Sequence, residues 1–166
     1  GSIFWYVQVN SGDKHLLIAD VEGDGYPYVY TTGSDITKGD LGDGRLRKLR
    51  GIDGAVLDET FSWRPCWGGL SIADPNNDGN FVTYMCDRRE GYEGPDGMGK
   101  GMQAYDSDTL DLLWKKEDMT CSSHNQAIID VNEDDVLDSV ALIQSGNGGI
   151  CVIDGKTGKP MPGKCS

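Results

Sequence analysis

Three acidic segments in this chain share one spacing: Asp20-Val-Glu22-Gly-Asp24-Gly25, Asp74-Pro-Asn76-Asn-Asp78-Gly79 and Asp130-Val-Asn132-Glu-Asp134-Asp135. Each sets a carboxylate or amide oxygen at positions 1, 3 and 5 of a loop. Calcium is a hard cation that collects about six to eight oxygens, and a tight turn presents alternate side chains inward to supply them. The expected ligands are therefore Asp20, Glu22 and Asp24 in the first loop, Asp74, Asn76 and Asp78 in the second, and Asp130, Asn132 and Asp134 in the third. Position 7 would add a backbone carbonyl, from Tyr26, Asn80 or Val136. Only the third loop has a carboxylate at position 9, Asp138, whereas Tyr28 and Val82 stand there in the others. A water or a distant residue must complete those two shells, so weaker binding is expected in them. Up to three calcium ions follow.

The EF-hand loop opens in the same way but needs a bidentate glutamate at position 12. Thr31, Met85 and Ala141 occupy that place. The residues after each loop, such as Tyr28-Val-Tyr30 and Phe81-Val-Thr-Tyr84, favour strands over helices. The loops are thus expected to join two strands. Any one of them could serve as an Asx-type turn without metal, but the first aspartates recur 54 and then 56 residues apart, which argues for a shared role.

The elements around the loops repeat as well. Each unit runs from an apolar strand through the acidic loop to a second strand, then through a glycine-rich connection to a hairpin. The hairpins are Arg45 to Ile52 with Ala55 to Trp63, Gly101 to Tyr105 with Leu110 to Lys115, and Gly149 to Ile153 with Lys159 onward. Aspartate is expected to open each turn, at Asp53, Asp106 and Asp154. Four strands in a unit of this size match a propeller blade. The expected fold is all-β, one repeat domain over 1–166, with blade units at about 14–63, 64–120 and 121–166 and a strand of a preceding or closing blade in 1–13. With 24 glycines and no sustained 3.6-residue apolar stripe, helices are not expected.

Ile18-Ala-Asp-Val-Glu-Gly-Asp-Gly25 and Ile72-Ala-Asp-Pro-Asn-Asn-Asp-Gly79 resemble FG-GAP (VCBS-type) repeats, and the likeness extends over all three units. Such repeats build the β-propeller heads of integrin α subunits and occur in many secreted microbial proteins and in rhamnogalacturonan lyases. The resemblance implies calcium in the loop between the first two strands of a blade. The hairpin Val152-Ile-Asp-Gly-Lys-Thr-Gly158 also resembles blade ends of pyrroloquinoline-quinone-type propellers. Propellers generally have about four to eight blades. Three blades leave apolar faces and strand edges open, so further blades, copies of the chain or a partner would complete the assembly.

Composition narrows the function classes. The net charge is −12, yet eight of the 27 acidic side chains are proposed ligands, and the remaining 19 face 15 basic ones. No broad basic surface exists for nucleic acid or anionic lipid. The one basic run, Arg45-Leu-Arg-Lys-Leu-Arg50, reads as a solvated strand. No apolar stretch of about 18 residues suits a membrane span. Five cysteines without a CxxC pair and only His15 and His124 argue against zinc. Calcium loops and oxidised thiols share an extracellular or cell-surface setting. Cys151 and Cys165 flank a hairpin turn and could face each other across it; among Cys66, Cys86 and Cys121 one must be left over, and the corresponding places of Cys66 and Cys121 before their loops favour that pair.

Catalytic signatures are thin. Gly155-Lys-Thr157 lacks the earlier glycine of a phosphate loop, there is no G-x-S-x-G, and neither histidine has a nucleophile beside it. Trp5, Trp63, Trp67 and Trp114 are expected to pack between blades, and the long insert from Arg88 to Lys100 to meet partners. The chain thus reads as a noncatalytic extracellular calcium-binding repeat module for adhesion, protein or glycan binding, or surface assembly. The alternative is part of a calcium-dependent polysaccharide lyase of the rhamnogalacturonan type, with His124 or a tyrosine as base.

Overall fold

The computed structural model describes residues 4–7, 15–34, 44–61, 69–87, 101–116, 126–143 and 149–165. It holds twelve strands, and no helix occurs among the described residues. The first unit contains β1 (Leu16–Ala19), β2 (Tyr28–Ser34), β3 (Gly44–Arg50) and β4 (Val56–Phe61). The second contains β5 (Leu70–Ala73), β6 (Val82–Asp87), β7 (Gly101–Asp106) and β8 (Leu112–Lys116). The third contains β9 (Ala127–Ile129), β10 (Asp138–Ile143), β11 (Gly149–Ile153) and β12 (Pro160–Cys165). Each unit is one four-stranded antiparallel sheet with its strands in chain order. The expected all-β units of four strands are present, and no closed ring is formed by these three sheets.

Strand periodicity decides how the sheets stack. Successive side chains point to opposite faces, so β6 sends Val82, Tyr84 and Cys86 one way and Met85 the other. The first set packs with Met102 and Ala104 of β7 against Ala141, Cys151 and Ile153 of the third sheet. The other face carries Leu70, Met85 and Tyr105 against Tyr28, Tyr30 and Leu46 of the first sheet. Strands β6 and β7 are buried on both faces, so that even Thr83 and Gln103 are out of water. The Tyr30 hydroxyl donates to the Ser107 carbonyl at 2.6 Å, tying the first sheet to the second. The first strands β1, β5 and β9 are neighbours in that order.

Hairpin turns repeat one geometry. Gly54, Leu110 and Gly158 each donate an amide to the residue four before, at 2.8, 3.0 and 2.9 Å. All three are left-handed, with φ of 72, 55 and 65°. The expectation that aspartate opens each turn holds at Asp106 and Asp154, but the first turn opens at Arg50, and Asp53 sits inside it accepting from the Ala55 amide at 3.0 Å. Glycine is required at the other two left-handed places because an indole covers them. A Cβ on Gly54 would stand 2.6 Å from Trp5 Cε3, and one on Gly158 would stand 2.6 Å from Trp114 Cδ2.

The second turn solves the same problem in reverse. Trp114 lies opposite Ala104 in β8, whereas the matching place in β4, opposite Lys48, holds Asp58. With no indole at the matching place among the described residues of the first sheet, Leu110 fills the space itself and is only 3% exposed. Its left-handed backbone costs about 1–2 kcal/mol, which burial of a leucine, about 1.5–3 kcal/mol, offsets.

Residues 4–7 have no strand partner among the described residues, in contrast to the strand expected there, yet Trp5 seats on the first hairpin and donates Nε1–H to the Gly51 carbonyl at 2.8 Å. Gly158→Ala should destabilise the fold by about 1–3 kcal/mol through overlap with Trp114. Gly79→Ala, at a left-handed site with no atom within 4 Å of the new Cβ, should cost only the strain of the left-handed backbone itself, about 1–2 kcal/mol, which Gly158→Ala bears in addition to its overlap. Urea unfolding of the two variants tests this ranking, and equal losses would contradict it.

Candidate functional site

The three acidic loops have one backbone. Position 1 accepts amides from positions 5 and 6: Asp20 from Asp24 and Gly25 at 3.2 and 2.8 Å, Asp74 from Asp78 and Gly79 at 3.1 and 2.7 Å, and Asp130 from Asp134 and Asp135 at 3.3 and 3.0 Å. Position 5 then accepts from position 7, where Tyr26, Asn80 and Val136 donate at 2.9, 2.9 and 3.0 Å. Positions 4 and 6 are left-handed in every loop: Gly23 and Gly25 at φ 66 and 84°, Asn77 and Gly79 at 53 and 87°, Glu133 and Asp135 at 60 and 64°. Asp135 therefore does what glycine does elsewhere, since a short polar side chain tolerates this region better than most.

These bonds orient the carboxylates of positions 1 and 5. Asp78 shows the electrostatic result, because the Asn80 amide holds its carboxyl below the usual aspartate range. At position 3 the loops part ways. Asn132 accepts from the Asp134 amide at 3.1 Å and donates Nδ2–H to Asp134 Oδ2 at 2.9 Å. Glu22 instead reaches Lys48, with Oε1 3.3 Å from Nζ, and accepts a hydrogen bond from the Tyr28 hydroxyl, which pushes that phenol up to about 12.

Asp138 at position 9 is fully buried and accepts amides from Val131 and Gly155 at 3.0 and 3.3 Å. Both of its oxygens thus brace the loop and the neighbouring hairpin. Among the described residues, no three His, Cys, Asp or Glu side chains converge as a metal cluster. Amide oxygens at Asn76 and Asn132 and the displaced Glu22 and Asp138 account for that. The remaining donors are oxygens alone, presented on exposed loops, and their chemistry fits a hard divalent cation. Asp74, Asn76, Asp78 and the Asn80 carbonyl would hold it in the second loop, and Asp130, Asn132, Asp134 and the Val136 carbonyl in the third.

Other sequence expectations fall as follows. The basic run is β3, and it is not a solvated strand: Leu46, Lys48 and Leu49 are buried. Arg47 pairs with Glu59 at 3.1 Å and Arg50 with Asp53 at 3.0 Å. The alternation of β3 between two packed faces buries what composition alone would leave in water. Backbone register sets Cys151 opposite Cys165. Cys66, Cys121, His124, Trp63, Trp67 and the insert from Arg88 to Lys100 lie outside the described residues. His15 directly precedes β1.

A cleft of about 600 Å³ beside the first loop was not anticipated; Asp24, Tyr26, Tyr28, Arg50 and Ile52 line it. It forms where the loop meets the first hairpin, a juxtaposition that only the β2–β3 register creates. Compared with protein-family models, curated proteins and solved structures, the chain gives no match.

A depressed carboxyl stabilises the fold above its unfolded pKa, about 3.9 for aspartate, and that stability is lost as the pH falls through the folded value. Asp78→Asn should therefore melt below the wild type at neutral pH, with the gap closing as the pH drops below the ordinary aspartate range. Melting curves across that range test it; a gap independent of pH would show that the carboxylate charge is not what matters.

Proposed function

We propose that this chain is a noncatalytic, calcium-stabilised extracellular module of the β-propeller type, which uses its blades to contact a protein or glycan partner or further copies of such sheets. The observation that carries the reading is the identity of the three loop backbones, with the same two left-handed positions and the same carboxylate-to-amide bonds despite different sequences. A turn needed only to reverse the chain has no reason to keep three oxygen-bearing residues in step. A cation shared among those oxygens gives that reason.

The blade reading is supported by the open ends of the stack. On the third sheet Ile129, Leu142 and Ile150 stand 55, 50 and 55% exposed, and on the first Leu16 and Ile18 stand 59 and 63% exposed. Leu142 and Ile150 are direct cross-strand partners, so they form one surface. The equivalent faces inside the stack are covered by the next sheet, which makes another sheet of the same kind the natural cover. Trp5 on Gly54 repeats Trp114 on Gly158, as if residues 4–7 stood for the last strand of a preceding blade.

For the compartment, the backbone register that sets Cys151 opposite Cys165 is compatible with the disulfide expected there, a state that suits an oxidising exterior.

Asp74→Ala and Asp130→Ala test the calcium role. Each should lose one calcium site and, at calcium about 100-fold above the dissociation constant, about 2.7 kcal/mol of calcium-dependent stability. Calorimetric titration with calcium and melting with and without chelator read both effects. Unchanged affinity and unchanged melting in both variants would sink the proposal.

A further inference from the structure

Glu22 differs from its counterparts Asn76 and Asn132 not only in charge but in what faces it. Its carboxylate lies 3.3 Å from the ammonium of Lys48. The Lys48 side chain is only 4% exposed. Its Nζ sits 4.3 Å from the centre of the Tyr28 ring, and it reaches Asp108 Oδ1 at 2.6 Å and the Asp108 carbonyl at 3.3 Å. Asp108 belongs to the β7–β8 turn, so this one ammonium bridges the first acidic loop and the second sheet.

The repeat supplies its own control. Lys48 lies opposite Tyr30, Ala104 opposite Tyr84 and Val152 opposite Val140, and those partners are all position 11 of their units. At loop position 3 and this facing place, the units therefore carry Glu22 with Lys48, Asn76 with Ala104, and Asn132 with Val152. The only loop with a charged third residue is the only one with a cation built into the sheet beside it. A buried ammonium needs anionic partners, and a carboxylate already paired to it is a poor ligand for a second positive charge held close by.

We infer that Lys48 takes the place of a metal ion in the first unit, so that this loop is locked by the Glu22–Lys48–Asp108 bridge and the chain binds two calcium ions, at the second and third loops. This rests on the calcium reading above.

Counting ions by native mass spectrometry at saturating calcium separates the two ideas. The wild type and Glu22→Gln should each carry two ions. The double variant E22N/K48A, which copies the Asn76 and Ala104 arrangement, should carry a third. Glu22→Gln should also lower the melting temperature equally in calcium and in chelator. Three ions on the wild type, or two on a folded double variant, overturn the inference; should the double variant not fold, the wild-type and Glu22→Gln counts still decide. No bound ion on the wild type removes the calcium reading, and the lock is then judged by melting of Glu22→Gln, Lys48→Met and their combination. Losses that fail to add support it, and additive losses overturn it.

Discussion

Tyr84 and Met102 face one neighbour of the middle sheet while Met85 and Tyr105 face the other, and that two-sidedness governs the rest of the molecule. A sheet with two apolar faces cannot be satisfied by water on either side. Each large side chain so buried contributes about 1.5–3 kcal/mol, but only while the next sheet stays in place. Stacking therefore sets the demands on every connection: strands must stay in register, turns must be narrow enough to let indoles lie over them, and loops must leave each sheet in a fixed direction.

The acidic loops and hairpin turns meet those demands at the same end of each sheet. The Gly51 amide donates to the Pro27 carbonyl at 3.1 Å and the Ser107 amide to the Phe81 carbonyl at 2.9 Å, linking each hairpin to the last residues of its own loop. In the third unit Asp138 makes the link, accepting from Gly155. Across units, the Leu137 amide donates to the Pro75 carbonyl at 2.8 Å, and Lys48 carries the equivalent tie between the first two. A cation that stiffened one loop would thus be felt by its hairpin and by the adjoining sheet. Charge at the loops and packing between sheets are parts of one structure.

Much of this was legible in the chain because the signals are local. Loop spacing, turn residues such as Asp106 and Asp154, and strand-forming runs such as Tyr28 to Thr32 each depend on a few adjacent residues, and they placed the four strands of every unit. What could not be read depends on residues far apart. Lys48 looks like any surface lysine until Glu22 and Asp108 are brought to it from 26 and 60 residues away. Asp138 looks like a ninth-position ligand until the β11–β12 turn supplies the Gly155 amide. The exchange of Trp114 and Gly158 for Asp58 and Leu110 is likewise invisible without the register. The sequence does carry one pointer to this pair: a glutamate at position 3 in the same unit as the only lysine on a third strand.

The most direct measurement is thermal unfolding of the purified chain in excess calcium and after chelation, followed by circular dichroism. An ion bound only by the folded state must raise the melting temperature, and increasingly so with its concentration. A clear loss of melting temperature on chelation, reversed when calcium is restored, is the expected result. Superimposable curves would mean that these loops are turns held by their own amides, and that calcium has no part in stabilising the stack.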